Sequence, residues 1–373
     1  MASSEARPLR TFLLSLLVFL ALDAAAFRSG LYAHIVSPES TSGKFYWSIH
    51  YEQRRPSDPA RDVLVLGNSK IERGLSVRQI EQEHLADGLH VIVGANPDAQ
   101  MKWWYYQLRN IDPRQDRYRA IVIPVNGYLV RPEAETVKPF ADYKSALAIA
   151  PFLSPKEWPD FLATFEDTAT HAKAVLLTLF SARDYSADIA DLFARPARRI
   201  TKLNERAAIA SRWLYDSDGI GAENIEQLRL DYASGRVTQW PAHFDPEQHT
   251  ETLMYARPSP STQISTQQML RYYSIWLGKI IGVYRGSHTA IILLPMPAYG
   301  VPMASVDPIK GAPDIRSLLP RNDSQVIALD EQPFARLQQP ALFYDVLHLN
   351  NQGRAAFTRL FTQQLNAALK PKS

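Results

Sequence analysis

Hydrophobic positions along the chain fall into two patterns. Short unbroken apolar runs recur at Val63-Leu64-Val65-Leu66, Val91-Ile92-Val93, Ile121-Val122-Ile123 and Ile291-Ile292-Leu293-Leu294. Runs without alternation suit strands buried on both faces of a parallel sheet. A weaker run at 325–329 predicts a fifth strand. Between the runs, apolar residues return at helical spacing over 77–86, over 161–180 and over 263–284. Asn96-Pro97-Asp98 opens a further predicted helix that runs through Leu108, and a closing helix through Phe357, Phe361 and Leu365 starts after Asn350 or Asn351 as cap. Apolar strands separated by helices predict an α/β domain with a parallel sheet covered on both sides. The stripe Leu270, Tyr273, Trp276, Leu277, Ile280 and Ile281 is expected to pack on that sheet. Trp103, Trp104, Tyr105 and Tyr106 lie together in the predicted helix ending at Leu108. Packing on the sheet is the expected use for two of them, and an aromatic rim for sugar rings is the alternative for the others.

The N-terminus carries a different pattern. Residues 11–27 are largely apolar and follow Arg7 and Arg10. The stretch 11–22 has the length of a signal-peptide core, and Ala24-Ala25-Ala26 offers a small-x-small cleavage site. The apolar run also continues past Asp23 to Ile35, and about 20 residues suffice to cross a bilayer. In a spanning helix Asp23 should face protein or lie near the far interface. Arg7 and Arg10 favour a cytoplasmic N-terminus, with Arg28 opposing them. A buried soluble helix is the third reading.

Composition narrows the function. The chain has 373 residues, a net charge of +3, no cysteine and nine scattered histidines. There is no Lys/Arg block with interleaved aromatics, so nucleic acid is not an expected partner. Without cysteine there is no disulfide and no thiolate metal site. His243, Asp245 and His249 lie close in sequence, but no further ligand stands at useful spacing, so no metal and no cofactor are inferred. Arg198, Arg199 and Glu205 belong to a charge-rich stretch expected to be a solvated face.

Two short stretches carry candidate chemistry. Gly67-Asn68-Ser69 follows the first predicted strand, so Ser69 would sit at the carboxyl end, where open α/β sheets place ligands. Asp345 and His348 stand three residues apart just before the closing helix. A serine nucleophile needs a base, and an imidazole base needs a carboxylate to fix its tautomer. The plain alternative is an ordinary turn at Ser69, a helix-capping Asp345 and a surface His348.

The order of these blocks resembles the SGNH, or GDSL-like, hydrolase superfamily. Gly67-Asn68-Ser69 matches its first block and Asp345-Val346-Leu347-His348 its last, with Leu349-Asn350 and Gly353 continuing the match. Gly94 and Asn126 stand where the middle blocks supply oxyanion donors. The pattern departs from the family at Asn68, where Asp is usual, and at the third block, which lacks the full Gly-x-Asn-Asp. The resemblance covers roughly residues 60–130 and 288–370. It implies a three-layer α/β/α, flavodoxin-like sheet, with Ser69, His348 and Asp345 as a catalytic triad and Ser69, Gly94 and Asn126 around an oxyanion.

Residues 27–52 are similar to the juxtamembrane stretch of membrane-anchored envelope members of that superfamily, related to the D-alanine transfer protein of lipoteichoic acid synthesis and to polysaccharide O-acetyltransferases. The resulting expectation is an uncleaved anchor over 1–36, a linker over 37–60 and an SGNH-like domain over 61–373 with a helical insertion at about 131–286. The resemblance implies a single-pass protein of the bacterial inner membrane with its domain on the extracytoplasmic side. It implies an acyltransferase or esterase acting on a cell-envelope polymer, beside a multi-pass membrane O-acyltransferase. The alternatives are a non-catalytic scaffold of an envelope-polymer complex and a secreted esterase with a cleaved signal.

Overall fold

The computed structural model describes residues 6–83, 88–97, 99–129, 146, 148–165, 168–208, 219–231, 234, 236–256, 266–297, 313–320 and 325–370. The chain forms two compact units, one from Met1–Glu52 with Phe140–Ala210 and the other from Gln53–Pro139 with Ser211–Ser373.

The second unit holds the sheet. Its strands are β1 (Asp62–Gly67), β2 (His90–Ala95), β3 (Ala120–Val125), β6 (Ala290–Pro295) and β7 (Val326–Ala328), all parallel, in the order β2-β1-β3-β6-β7. A separate antiparallel ribbon pairs β4 (Arg229–Asp231) with β5 (Arg236–Gln239). Successive side chains of a strand point to opposite faces. One face presents Val63, Val65, Val91, Val93 and Val122 to Ile71, Leu75 and the closing helix Asn351–Leu369, through its Phe357, Phe361 and Leu365. The opposite face meets the helices Met101–Ile111 and Thr266–Tyr284. α5 spans Met101–Ile111, and its Tyr105 and Tyr106 rings lie 5.6 and 5.8 Å from Trp276. Trp103, Trp104 and Tyr106 are buried. Three of the four aromatics of α5 therefore pack in the core, and the half-buried Tyr105 lies against Trp276.

Strand order reverses direction on either side of β1. β2 lies to one side of it and β3, β6 and β7 to the other, so the carboxyl ends of β1 and β3 border a topological switch point. The chain leaves β1 through Gly67 and Asn68 straight into α3 (Ser69–Gly74). The sequence pattern placed the first helix near Ser76. It begins earlier because the Asn68 side chain caps it, accepting from Lys70 N at 3.0 Å. α4 (Val77–Gln82) then starts separately, with Ser76 as its own cap. The expected helical stretch beyond it reaches residues 84–87, outside the described residues. The helix expected from Asn96 starts only at Met101, and position 98 lies outside the described residues. The 161–180 pattern resolves into Trp158–Leu162 and Thr168–Leu179.

The first unit corrects the expected boundaries. Its α1 (Ala6–Asp23) and the following π turn contain Pro8–Arg28, 21 residues with mean hydropathy 1.9, long and apolar enough to cross a membrane. Asp23 faces protein, its carboxylate accepting from Ser181 N and Ala182 N at 2.8 and 2.9 Å. The linker expected over 37–60 is mostly a helix, α2 (Thr41–Arg54), because Phe45, Trp47 and Ile49 give it an apolar face. The Phe45 ring packs at a tilt on Phe152, with centroids 5.0 Å apart, and Trp47 Nε1 donates to Val36 O at 3.1 Å. Burying each such side chain contributes about 1.5–3 kcal/mol. The single insertion expected over 131–286 is likewise divided, with Phe140–Ala210 in the first unit and the remainder in the second. Arg199 is not on a solvated face. It is 1% exposed, and its guanidinium donates to Asp188 Oδ2 at 2.9 Å and Asp191 Oδ2 at 3.1 Å.

Gly67 and Gly278 offer a contrasting pair of substitutions. A Cβ on Gly67 would stand 2.3 Å from Ile71 Cβ, whereas one on Gly278, on the exposed side of its helix, would meet nothing within 4 Å. Gly67→Ala should lower unfolding stability by about 1–3 kcal/mol through overpacking. Gly278→Ala should raise it by up to about 1 kcal/mol through helix propensity. Chemical denaturation midpoints of the two variants, compared with the wild type, check both signs.

Candidate active site

β1, α3 and the loop before the closing helix bring three side chains together. Ser69 is the first residue of α3. A first helical residue has no intrahelical acceptor for its N–H, and among the described residues Ser69 N meets none. Its hydroxyl lies 2.9 Å from His348 Nε2. His348 Nδ1 lies 2.8 Å from Asp345 Oδ2. The three residues predicted 279 positions apart at the extremes are thus one hydrogen-bonded chain.

The loop carrying Asp345 and His348 is held from several sides. Phe343 and Leu349 bridge across its base, and Tyr344 N donates to His348 O at 2.8 Å. Asp345 Oδ1 accepts from the amides of Leu347 and His348, both at 2.8 Å. Asn350 caps the closing helix through Gln352 N and Gly353 N, while its Nδ2 donates to Glu223 O and Ala341 O. His243 Nε2 lies 2.8 Å from Tyr344 O. This histidine, a member of the triplet weighed as metal ligands, braces the loop next to Asp345.

Electrostatics follow from burial and these bonds. Asp345 is 3% exposed and His348 7%. Burial alone opposes ionisation of Asp345, yet the His348 ring and the two amides outweigh it and hold the carboxyl below the usual range. With Asp345 ionised, Nδ1 carries the ring proton and donates to it, which leaves the Nε2 lone pair facing the serine hydroxyl. Glu251, half-buried on the helix Pro246–Ala256, feels the same charges. Its carboxyl is raised, first by burial and then by Asp345, with His348 opposing.

Of the expected oxyanion donors, the structure separates two from the third. Asn126 follows β3, across the switch point, and its Oδ1 accepts from Lys70 Nζ at 3.1 Å. With that oxygen taken by an ammonium, the amide presents its NH2 as donor. Gly94 is in another situation. His90 N donates to Arg61 O and Asn96 N to Gly67 O, so every second residue of β2 donates into β1. Gly94 belongs to that donating set, and its N–H is used within the ladder. Its lack of a side chain serves packing, since a Cβ there would approach Leu64 to 3.1 Å. The assignment of Gly94 as an oxyanion donor is therefore corrected.

Three side chains that the motifs passed over belong to this region. Lys70, 6% exposed, reaches Asn126 from the residue next to Ser69. Asn96 is 1% exposed, and neither its Oδ1 nor its Nδ2 has a hydrogen-bond partner among the described residues. Buried amides are nearly always paired, which marks this one out. Glu251 is the third. Only the adjacency of Lys70 to Ser69 was a signal available in the sequence. A small cleft of about 50 Å³ opens here, lined by Asn68, Lys70, Gln100, Trp104, Asn126 and Tyr273 among others. The arrangement can deprotonate a serine hydroxyl, stabilise the resulting imidazolium and offer amide donors beside a small polar cleft. No family model, characterised protein or solved structure matches this chain.

A depressed carboxyl favours the folded state above the unfolded Asp value of about 4, and this contribution is lost as pH falls through the lower folded value. Asp345→Asn removes it. The variant should be less stable than wild type at neutral pH, and the gap should narrow below about pH 4. Urea midpoints measured across that range check the sign.

Proposed function

We propose that the protein is an extracytoplasmic serine acyltransferase or esterase that acts on a cell-envelope polysaccharide or related polymer through an acyl-serine intermediate. The observation that carries this reading is the continuous chain Ser69 Oγ–His348–Asp345 beside the switch point of the sheet. The SGNH-like order of the blocks supports the same reading, as does the N-terminal helix that is long and apolar enough to cross a membrane.

In the proposed mechanism Ser69 Oγ attacks the acyl carbonyl carbon while His348 Nε2 takes the hydroxyl proton. The carbonyl oxygen becomes an oxyanion, received by Ser69 N–H and the Asn126 amide. One such donor is worth about 3 kcal/mol in the transition state. Collapse breaks the ester bond, and His348 returns the proton to the departing alcohol. Water or an acceptor hydroxyl then loses a proton to His348 and attacks the acyl-serine, and Ser69 recovers its own. Asp345 stabilises the imidazolium in both halves and does not itself take a proton. Hydrolysis and transfer differ only in which hydroxyl arrives. The anchor reading places the domain outside the bacterial inner membrane, beside a membrane-embedded acyl donor system of the multi-pass O-acyltransferase kind.

The loss of Gly94 as a donor is the one observation favouring the second reading, a non-catalytic scaffold of an envelope-polymer complex. A serine-directed phosphonate followed by intact mass separates the two: the enzyme gains one adduct, lost in Ser69→Ala. Toward a small aryl ester, residual activity should run Asp345→Asn above His348→Ala, with Ser69→Ala at background. All three should melt close to wild type at neutral pH, within about 1–2 kcal/mol. Wild-type turnover in a normally folded Ser69→Ala removes the serine mechanism and leaves the scaffold. For the anchor, alkaline extraction of membranes should leave the full-length chain in the pellet, whereas a shortened soluble form indicates a cleaved signal.

A further inference from the structure

Among the described residues, every large apolar side chain that is exposed belongs to the first unit. Those from Leu9 to Leu22 lie in α1 and are explained if that helix crosses a bilayer. Six others lie outside α1: Leu176 and Leu179 on the helix Thr168–Leu179, and a group of four, Leu31 (72% exposed), Ile35 (41%), Phe193 (81%) and Ile200 (61%).

These four are tied to the end of the apolar helix. The Phe27 ring packs on Tyr32 at 5.1 Å and on Tyr185 at 5.6 Å. Tyr185 directly precedes the helix Ser186–Ala194, which carries Phe193 near its end. Tyr32 OH donates to Asp188 Oδ2 at 2.7 Å on the same helix, one residue beyond Leu31 in the chain. Asp188 also receives Arg199 of the helix Pro196–Asn204, and Arg199 Nη1 donates to Ile35 O at 2.9 Å. Ile200 is the next residue. One buried ion pair thus gathers the elements bearing all four apolar side chains, right where the membrane-length helix stops. On another side the Phe19 ring, inside α1, lies 5.8 Å from Phe180. The adjoining helix Thr168–Leu179, with exposed Leu176 and Leu179, therefore runs up against the span itself.

We propose that the first unit is seated in the surface of a phospholipid bilayer, with Leu31, Ile35, Phe193 and Ile200 at the headgroup–acyl boundary. This rests on α1 being a spanning helix, and adds to it a second, in-plane contact. Charge argues for lipid over a protein partner. Arg195, Arg198 and Lys202 alternate with Phe193 and Ile200 along the two helices, each within reach of Asp191, Glu39 or Glu205. Long cationic side chains among single apolar ones are the pattern of an interfacial helix, whose cations snorkel to lipid phosphates. Protein interface cores are instead depleted in lysine.

The absence of cysteine makes the test direct. Phe193→Cys, Ile200→Cys, Leu14→Cys and Gln338→Cys, each in the full-length chain, carry a nitroxide and are reconstituted into vesicles of phosphatidylcholine and phosphatidylglycerol. All four positions are exposed, and melts matching wild type verify the fold. At Phe193→Cys and Ile200→Cys, collisions with oxygen should exceed those with a water-soluble nickel chelate, as at Leu14→Cys. Gln338→Cys, on the second unit, should show the reverse. If the first two behave like Gln338→Cys while Leu14→Cys reads as lipid, the span stands and the docking is wrong. If Leu14→Cys also reads as water, the anchor itself fails and takes the docking with it. Exclusion of both reagents at Phe193→Cys and Ile200→Cys means that protein, a second copy of the chain, covers the patch, which also overturns the proposal.

Discussion

The turn at Gly67 can exist only because nothing projects from its Cα. Ile71 packs back over the end of β1, at the place a side chain on Gly67 would need. That close approach lets the chain pass from strand to helix within two residues, and it puts Ser69 at the first position of α3. The carbonyl of Gly67 is equally committed. It accepts from Asn96 N at 3.0 Å and Trp104 Nε1 at 3.2 Å, so the end of β2 and the core face of α5 are pinned to the same turn. A wider turn would release the serine, the neighbouring strand end and the aromatic packing together.

The other half of the site depends on placing a carboxylate where water does not reach it. Burial makes an ionised Asp345 costly, and the loop answers with two amides and one imidazole around its two oxygens. Those bonds hold the ring in one orientation and leave a single lone pair for the serine. The loop is held in its turn by the Phe343–Leu349 bridge, by Asn350, which caps a helix with one end and ties neighbouring carbonyls with the other, and by His243. Across the switch point the same logic orients Asn126, because an ammonium from Lys70 takes its oxygen.

The first unit is organised by charges of the opposite kind, polar groups that hold apolar elements together. Asp23 ends a membrane-length helix by accepting two amides from the turn Ser181–Asp184. Arg199, almost wholly enclosed, joins Asp188, Asp191 and the carbonyl of Ile35. Breaking either would leave a buried charge without its partner, a larger loss than the pair itself contributes.

The apolar runs by themselves determined the parallel sheet, since a strand with no polar alternation has no face to give to water. Gly67, Ser69, Asp345 and His348 were also readable, because chain order and residue type suffice to mark a strand-end serine and an Asp-x-x-His pair before the closing helix. Their meeting at 2.9 and 2.8 Å was decided by strand order and by the loop closure at Phe343 and Leu349, which are tertiary facts. Gly94 shows where a local pattern misleads: its N–H looks available until the register with β1 assigns it an acceptor. Lys70, Asn96 and Glu251 belong to no spacing rule, for their relevance comes from burial and from neighbours distant in sequence. The same holds for the unit boundaries and for Arg199. A charged stretch reads as solvated surface in one dimension, and only packing reveals which of its charges is enclosed.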